Sequence, residues 1–346
     1  MPFPVYWSGR RAGLQLAAVA LLGLAAACGG SDQLSPSTQG EVATGDSLVA
    51  TPTDSVLTAP DSTLVDAGTI TPENVLSSGV GLPFGMMNMR SIFWTTMYNT
   101  TQLGALSQYL LDELVTTRSK GGQMIVKMAG QKDYYIQNSD GTFNLSKWKA
   151  QVDNYRKLNL SSYISDGTLS GHFLIDEPQN VKKWGGKAIP QSTVEEMARY
   201  SKQIWPTLPT FARVVPSWLA QSSITYTYLD AGWAQYVASQ GEVTQYIASE
   251  VAAAKRKGLG LMAGMNILGG GNGSSGYKGY QTKWAMSATE IRNYGTAILN
   301  QSYVCGFINW TYLYSGATYF ARSDIKSAVT DLSNRAKAHP RTLCRQ

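Results

Sequence analysis

The stretch GHFLIDEP places two carboxylates, Asp176 and Glu177, and then Pro178 directly after a short apolar run. Two acids at the end of a strand can move a proton, steady a developing positive charge, or hold a base. Cleavage of a glycosidic bond needs two carboxyl groups. One, with a raised pKa, protonates the leaving oxygen, and the other attacks the sugar or activates water. Glu177 is the first candidate acid. The candidate second acid is Asp230, read as the end of the strand in TYTYLDAGWAQY (225–236), beside Trp233. A carboxyl separation of about 5–5.5 Å would give a retaining mechanism, and about 6.5–9.5 Å an inverting one. Asp176 is the third candidate. Successive strand residues point to opposite faces, so Asp176 either sets the surroundings of Glu177 or pairs with a base such as Lys127 or Arg213.

Such chemistry requires separate elements to converge. After residue 80 the pattern alternates between short apolar runs and amphipathic segments. Strands are predicted at 82–89, 123–129, 171–177, 210–216, within 225–236, 260–268 and 304–313. Helices are predicted at 101–121, 144–158, 192–205, 241–258, 287–301 and 323–338. The first helix carries Leu103, Leu106, Leu110, Leu111 and Leu114 at helical spacing behind a Thr cap, and the fourth ends in basic residues and Gly258. Seven strands, mostly followed by helices, predict an α/β fold, a (β/α)8 TIM-type barrel, regular or irregular. The eighth strand lies in 163–169, in 91–97, or is missing. A doubly wound sheet would carry a Gly-rich phosphate turn after its first strand, and LPFGMMNMR has none. The run GGGNGSSG (269–276) does not lead straight into a helix and is read as a mobile loop.

In a parallel barrel, functional residues sit at the C-terminal ends of the strands. The candidate substrate-binding residues there are Asn88, Arg90, Lys127, Asn266 and Trp310, with Asn309 alongside. Nine Trp and nineteen Tyr are available for packing and for stacking on flat ligands. Trp218, Trp233 and Trp310 are the candidate platforms for sugar rings.

FLIDEP resembles the fourth strand of barrel glycoside hydrolases of the cellulase and β-galactosidase clan. There the strand ends Asn-Glu-Pro and the Glu is the general acid/base. The resemblance implies that role for Glu177 and puts Asp176 where an amide would hold a sugar hydroxyl. It also implies that Trp310, in GFINW, floors the sugar site. The pattern departs at the seventh strand, GLMAGMNIL, which offers Asn266 where the clan places its nucleophilic Glu.

The N-terminal 28 residues, with Arg10 and Arg11 before an apolar stretch and Cys28 after small residues, resemble a bacterial lipoprotein signal with lipidation at Cys28. Ala25 stands where the lipobox prefers Leu. An ordinary secretory signal is the alternative. Residues 29–79 hold seven acids, no Lys or Arg and no aromatic residue, so they are expected to be a disordered tether with a reach of about 40 Å. Residues 80–346 form the barrel domain, with 27 basic and 16 acidic residues, a net charge of +11. That charge suits an anionic glycan, and no basic and aromatic interleaving argues for nucleic acid. Cys305 and Cys344 either pair or remain thiols. The two His residues, His172 and His339, lack metal-ligand spacing, so a zinc hydrolase or a Ser-His-Asp enzyme is poorly supported. No metal or organic cofactor is implied.

The expectation is a monomeric, lipid-anchored glycoside hydrolase of the bacterial cell envelope acting on a poly- or oligosaccharide. A carbohydrate-binding lipoprotein without activity is the alternative, because a fold does not confer activity. A structural lipoprotein docked on an anionic wall polymer is the third reading.

Overall fold

A computed structural model describes residues 81–312 and 316–344. The signal, Cys28 and the tether lie outside the described residues. Eight parallel strands close into a barrel in sequence order. They are β1 (Phe84–Met87), β2 (Thr100–Leu103), β3 (Gln123–Val126), β4 (Leu169–Asp176), β5 (Thr210–Arg213), β6 (Ala231–Tyr236), β7 (Gly260–Met265) and β8 (Val304–Asn309). The surrounding helices are α1 (Ser107–Ser119), α2 (Leu145–Asp153), α3 (Ser161–Ser165), α4 (Gln191–Ile204), α5 (Pro216–Leu219), α6 (Val243–Arg256), α7 (Ala288–Leu299), α8 (Ala317–Ala321) and α9 (Ser323–Ala338). No helix among the described residues is long and apolar enough to cross a membrane.

The strands are mostly buried on both faces, as parallel strands under helices must be. Outward residues pack beneath the helices. Leu110 and Leu114 of α1 join Met124 and Val126, while Ile291 and Ile298 of α7 and Leu332 of α9 join Leu261 and Phe307. Inward residues form a separate interior cluster that includes Met87, Ile125, Phe173, Phe211, Trp233, Met262 and Ile308. Strands approach closely where side chains are absent: a Cβ on Gly264 would stand 2.0 Å from the Ile308 carbonyl oxygen.

The C-terminal tail closes the N-terminal end of the barrel. Cys305, second in β8, is disulfide-bonded to Cys344 with their Cα atoms 5.0 Å apart. Cys344 packs against the interior cluster. Its carbonyl lies so close to Gly260 that no Cβ would fit there. Of the two states open for these cysteines, the structure takes the bonded one.

The missing strand is β2, TTQL, and it lies in neither expected segment. Its residues stand at the head of the predicted 101–121 helix, which begins only at Ser107. Leu103 matches the helical spacing by coincidence and is buried as a strand residue. The sixth strand also starts later than read, at Ala231. The strand read as ending at Asp230 instead begins just after it, and this places Asp230 at the opposite end of the barrel.

Candidate functional site

Strand β4 contains an extra residue relative to β5. Phe173 pairs with Phe211, but Ile175 pairs with Ala212 and Asp176 with Arg213. Leu174 and Ile175 both pack on the outer cluster, whereas Phe173 and Phe211 belong to the interior. The bulge thus shifts the pleat by one residue. Asp176 comes level with Arg213 at the mouth, in phase with the inward pair below.

Asp176 is the hub of an ionic network. Its Oδ1 accepts from Arg213 Nε, and its Oδ2 lies 2.6 Å from Lys183 Nζ. Lys183 also reaches Asp133 Oδ2 at 3.1 Å, and Lys127 Nζ donates to Asp133 Oδ1 at 2.8 Å. Arg213 Nη2 lies 3.4 Å from Glu177 Oε1. Three acids and three bases therefore balance at the ends of β3, β4 and β5. Burial alone would raise the Asp176 and Asp133 pKa values. The cations outweigh it: Arg213 and Lys183 hold Asp176 well below the usual carboxylate range, and Lys127 and Lys183 lower Asp133. Both are carboxylates at neutral pH.

Glu177 is the more accessible acid, its side chain 37% exposed against 23% for Asp176. Asn180 Nδ2 donates to its Oε2 at 3.2 Å. Its backbone has φ 50°, in the left-handed region that L-residues seldom adopt. Three hydrogen bonds hold it there: Glu177 N to Arg213 O, and Asn180 N and Trp184 Nε1 to Glu177 O. Strained residues of this kind collect at functional sites. Asn88, at the end of β1, has φ 61° and donates through Nδ2 to Thr311 Oγ1 at 2.7 Å.

Aromatic rings occupy the same end of the barrel. Half-buried Trp310 follows β8 and meets Tyr280 edge-on, ring centroids 4.5 Å apart. Its peptide bond to Thr311 is cis. Phe93 stacks on Tyr312, Tyr134 lies against Tyr135, and Trp284 is exposed with Lys278 Nζ 3.1 Å from its ring centroid. At the floor, Trp233 Nε1, Gln235 Oε1 and Asn266 Oδ1 are buried without a hydrogen-bond partner.

Seven predicted residues thus stand at the C-terminal strand ends: Asn88, Arg90, Lys127, Asp176, Glu177, Asn266 and Trp310. Arg90 is bound to Glu113 of α1. Three do not serve as predicted. Asp230 precedes β6 instead of ending a strand. It is 2% exposed, lies 2.7 Å from Lys202 Nζ and accepts from Thr210 N, the first residue of β5. It belongs to the N-terminal end of the barrel, opposite Glu177, and cannot be its catalytic partner. Trp233 is 1% exposed and packs edge-on against Phe173 inside the barrel, so its ring presents no open face. Trp218 lies on α5 and packs against the outer cluster.

Asp133, Lys183, Asn180 and Tyr280 were not singled out in the sequence. They lie in long loops whose course no periodicity reveals. The Gly-rich run, read as mobile, is tied down. The Glu290 carboxylate accepts from Asn272 N, Ser274 Oγ and Ser287 N, and Gly271 N donates to Trp284 O. A polar groove of about 970 Å³ between α6, α7 and α9 lies outside the helical layer and includes the paired Arg292 and Asp331. Among the described residues no group of three His, Cys, Asp or Glu could hold a metal ion.

No family model matches the sequence, and no curated protein does. Solved structures match the fold. A β-glucanase from Saccharophagus degradans has TM-score 0.51 and 11% identity, covering 75% of this chain and 88% of that one. An endocellulase from Pyrococcus horikoshii, solved with cellotetraose, has TM-score 0.48 and 8% identity, covering 75% and 92%. A family 5 mannosidase from Rhizomucor miehei has TM-score 0.45 and 10% identity, covering 69% and 84%. At these identities the likeness shows the barrel fold alone.

Proposed function

We propose that this chain binds carbohydrate at the C-terminal mouth of a glycosidase-type barrel and does not hydrolyse it by the two-carboxylate route. One observation carries this reading: among the described residues, the acids beside Glu177 are each held by lysine or arginine. All sixteen acids of residues 80–346 lie in the described part of the chain. Among the described residues, the acids at the mouth are Glu177, 3.4 Å from Arg213 Nη2, and the lysine-bound or arginine-bound Asp176 and Asp133. The seventh strand ends in the amide Asn266. Trp310 with Tyr280 supplies a ring for stacking, and the amide oxygens of Gln235 and Asn266 at the floor supply acceptors for hydroxyls.

Hydrolysis is the second reading, because Asp133 is ionised and its side chain is 30% exposed. Glu177 would then protonate the leaving oxygen, and Asp133 would act as the base.

One experiment separates the two. The purified chain is titrated calorimetrically with β-1,4-glucan and mannan oligosaccharides. Reducing ends are followed in parallel. Binding that weakens about tenfold in Trp310→Ala, with no more product than Glu177→Gln gives, supports a binding protein. Turnover that disappears in Glu177→Gln overturns it in favour of the hydrolase.

We also propose that the chain acts as a monomer in the cell envelope, outside the cytoplasm, anchored through lipid on Cys28. The support for the location and the anchor is the sequence of residues 1–79. Retention in the membrane fraction that persists in Cys28→Ser would refute the anchor.

A further inference from the structure

Charge at the mouth is unevenly shared. The acids Asp133, Asp176 and Glu177 all sit at the ends of β3 and β4, against Lys127, Lys183 and Arg213. The opposite side, built from β7, β8, β1 and β2, has almost none. From residue 251 to residue 323 the only acid is Glu290, and residues 81–111 contain no acid. Glu290 is spent on the β7–α7 loop, where Asn272, Ser274 and Ser287 occupy its oxygens. That loop carries two lysines, Lys278 and Lys283, both exposed. Neither has an ion-pair partner among the described residues.

The lysines stand beside the stacking surface. A Cβ built on Gly269 would lie 3.7 Å from Lys283 Cδ and 3.8 Å from Trp310 Cζ3, so the Lys283 stem and the Trp310 ring both flank Gly269. Lys278 and Trp284 pair as an antiparallel bridge, with the ammonium over the indole. Tyr280, between the two lysines, touches Trp310. At the neighbouring ends of β6 and β7 lie the unpartnered amide oxygens of Gln235 and Asn266. Together these make a polar floor, an aromatic face and a cationic wall. A neutral sugar uses the first two and leaves the wall idle. A ligand with hydroxyls and a carboxylate on one ring uses all three.

We infer that the preferred ligand is an acidic oligosaccharide built from uronate units, its carboxylate turned to Lys278 and Lys283 and its ring on Trp310. This rests on the carbohydrate reading above and names the ligand class for the same site.

The test compares chains that differ only in charge. The full-length protein is titrated with β-1,4-linked glucuronate oligomers and with cello-oligosaccharides of equal length. Galacturonate with galactose oligomers and mannuronate with mannose oligomers extend the set. The acidic member of at least one pair binds tenfold or more tightly at 50 mM salt, and the advantage shrinks as salt rises. In Lys278→Gln/Lys283→Gln the acidic-to-neutral affinity ratio falls toward one, while the thermal midpoint shows the protein folded. Neutral members that bind as well as acidic ones overturn the acidic preference and leave the carbohydrate reading standing. A preference that survives in the double variant overturns the role of these lysines. If no member of any pair binds, this inference and the carbohydrate reading fall together.

Discussion

At the scale of single residues, Asp176 and Glu177 divide the labour of the acid pair. Asp176 is held by Arg213 and Lys183 and holds them in turn, while Glu177 faces the mouth. Breaking a buried pair from one side leaves charge uncompensated. Asp176→Asn is therefore expected to cost about 2 kcal/mol, below the figure for a fully buried pair because the site is partly open. Urea unfolding measures this, and Glu177→Gln should cost less. The pH dependence follows from the same contacts. The folded-state pKa values of Asp176 and Asp133 lie below their unfolded values. Their contribution is therefore complete above about pH 4 and is lost as pH falls below it, where the unfolded chain binds more protons. The slope of stability against pH in that range should be shallower in Asp176→Asn.

At the scale of elements, the β7–α7 loop depends on one residue of the following helix. Ser287 and Glu290 form a capping box at the start of α7, and the same Glu290 carboxylate reaches back to Asn272 and Ser274. Glu290→Ala removes the carboxylate half of the capping box and the anchor together. The expected cost is about 1–2 kcal/mol. Hydrogen exchange should quicken over residues 269–276 while strands β3 to β5 stay protected, and saccharide binding should weaken because Lys278, Lys283 and Trp284 ride on that loop. An unchanged exchange pattern would show that the anchor is dispensable. The S-x-x-E signature of this cap is visible in the sequence, and the predicted 287–301 helix starts one residue from the observed α7. The second use of Glu290, across the loop, is not visible, because it joins residues sixteen to eighteen apart through an irregular path.

At the scale of the molecule, the barrel has a working end and a sealed end. The tail seals it through Cys305 and Cys344, 39 residues apart. Closing a loop of that length is worth about 4 kcal/mol in the chain-entropy account. Reduction, or Cys344→Ser, should lower unfolding stability by a figure of that order. The saccharide affinity proposed for the opposite end should stay unchanged. Equal stability of the reduced and oxidised protein would show that the tail's other contacts suffice to hold it.

The sequence by itself determined the barrel class, seven of the eight strands to within a few residues and most of the longer helices, because burial writes apolar periodicity into every element that packs on the core. It also determined that Asp176, Glu177, Asn266 and Trp310 end strands. It could not reveal β2, whose Thr-Thr-Gln-Leu has no strand period. Only the tertiary structure decided which end of its strand Asp230 occupies: β6 runs from Ala231 to Tyr236, after that acid, which therefore lies on the far side of the barrel. Only the structure showed the bulge in β4, which brings Asp176 into register with Arg213. A pattern of period two cannot announce its own interruption, because the interruption is set by the neighbouring strand rather than by the residues that carry it.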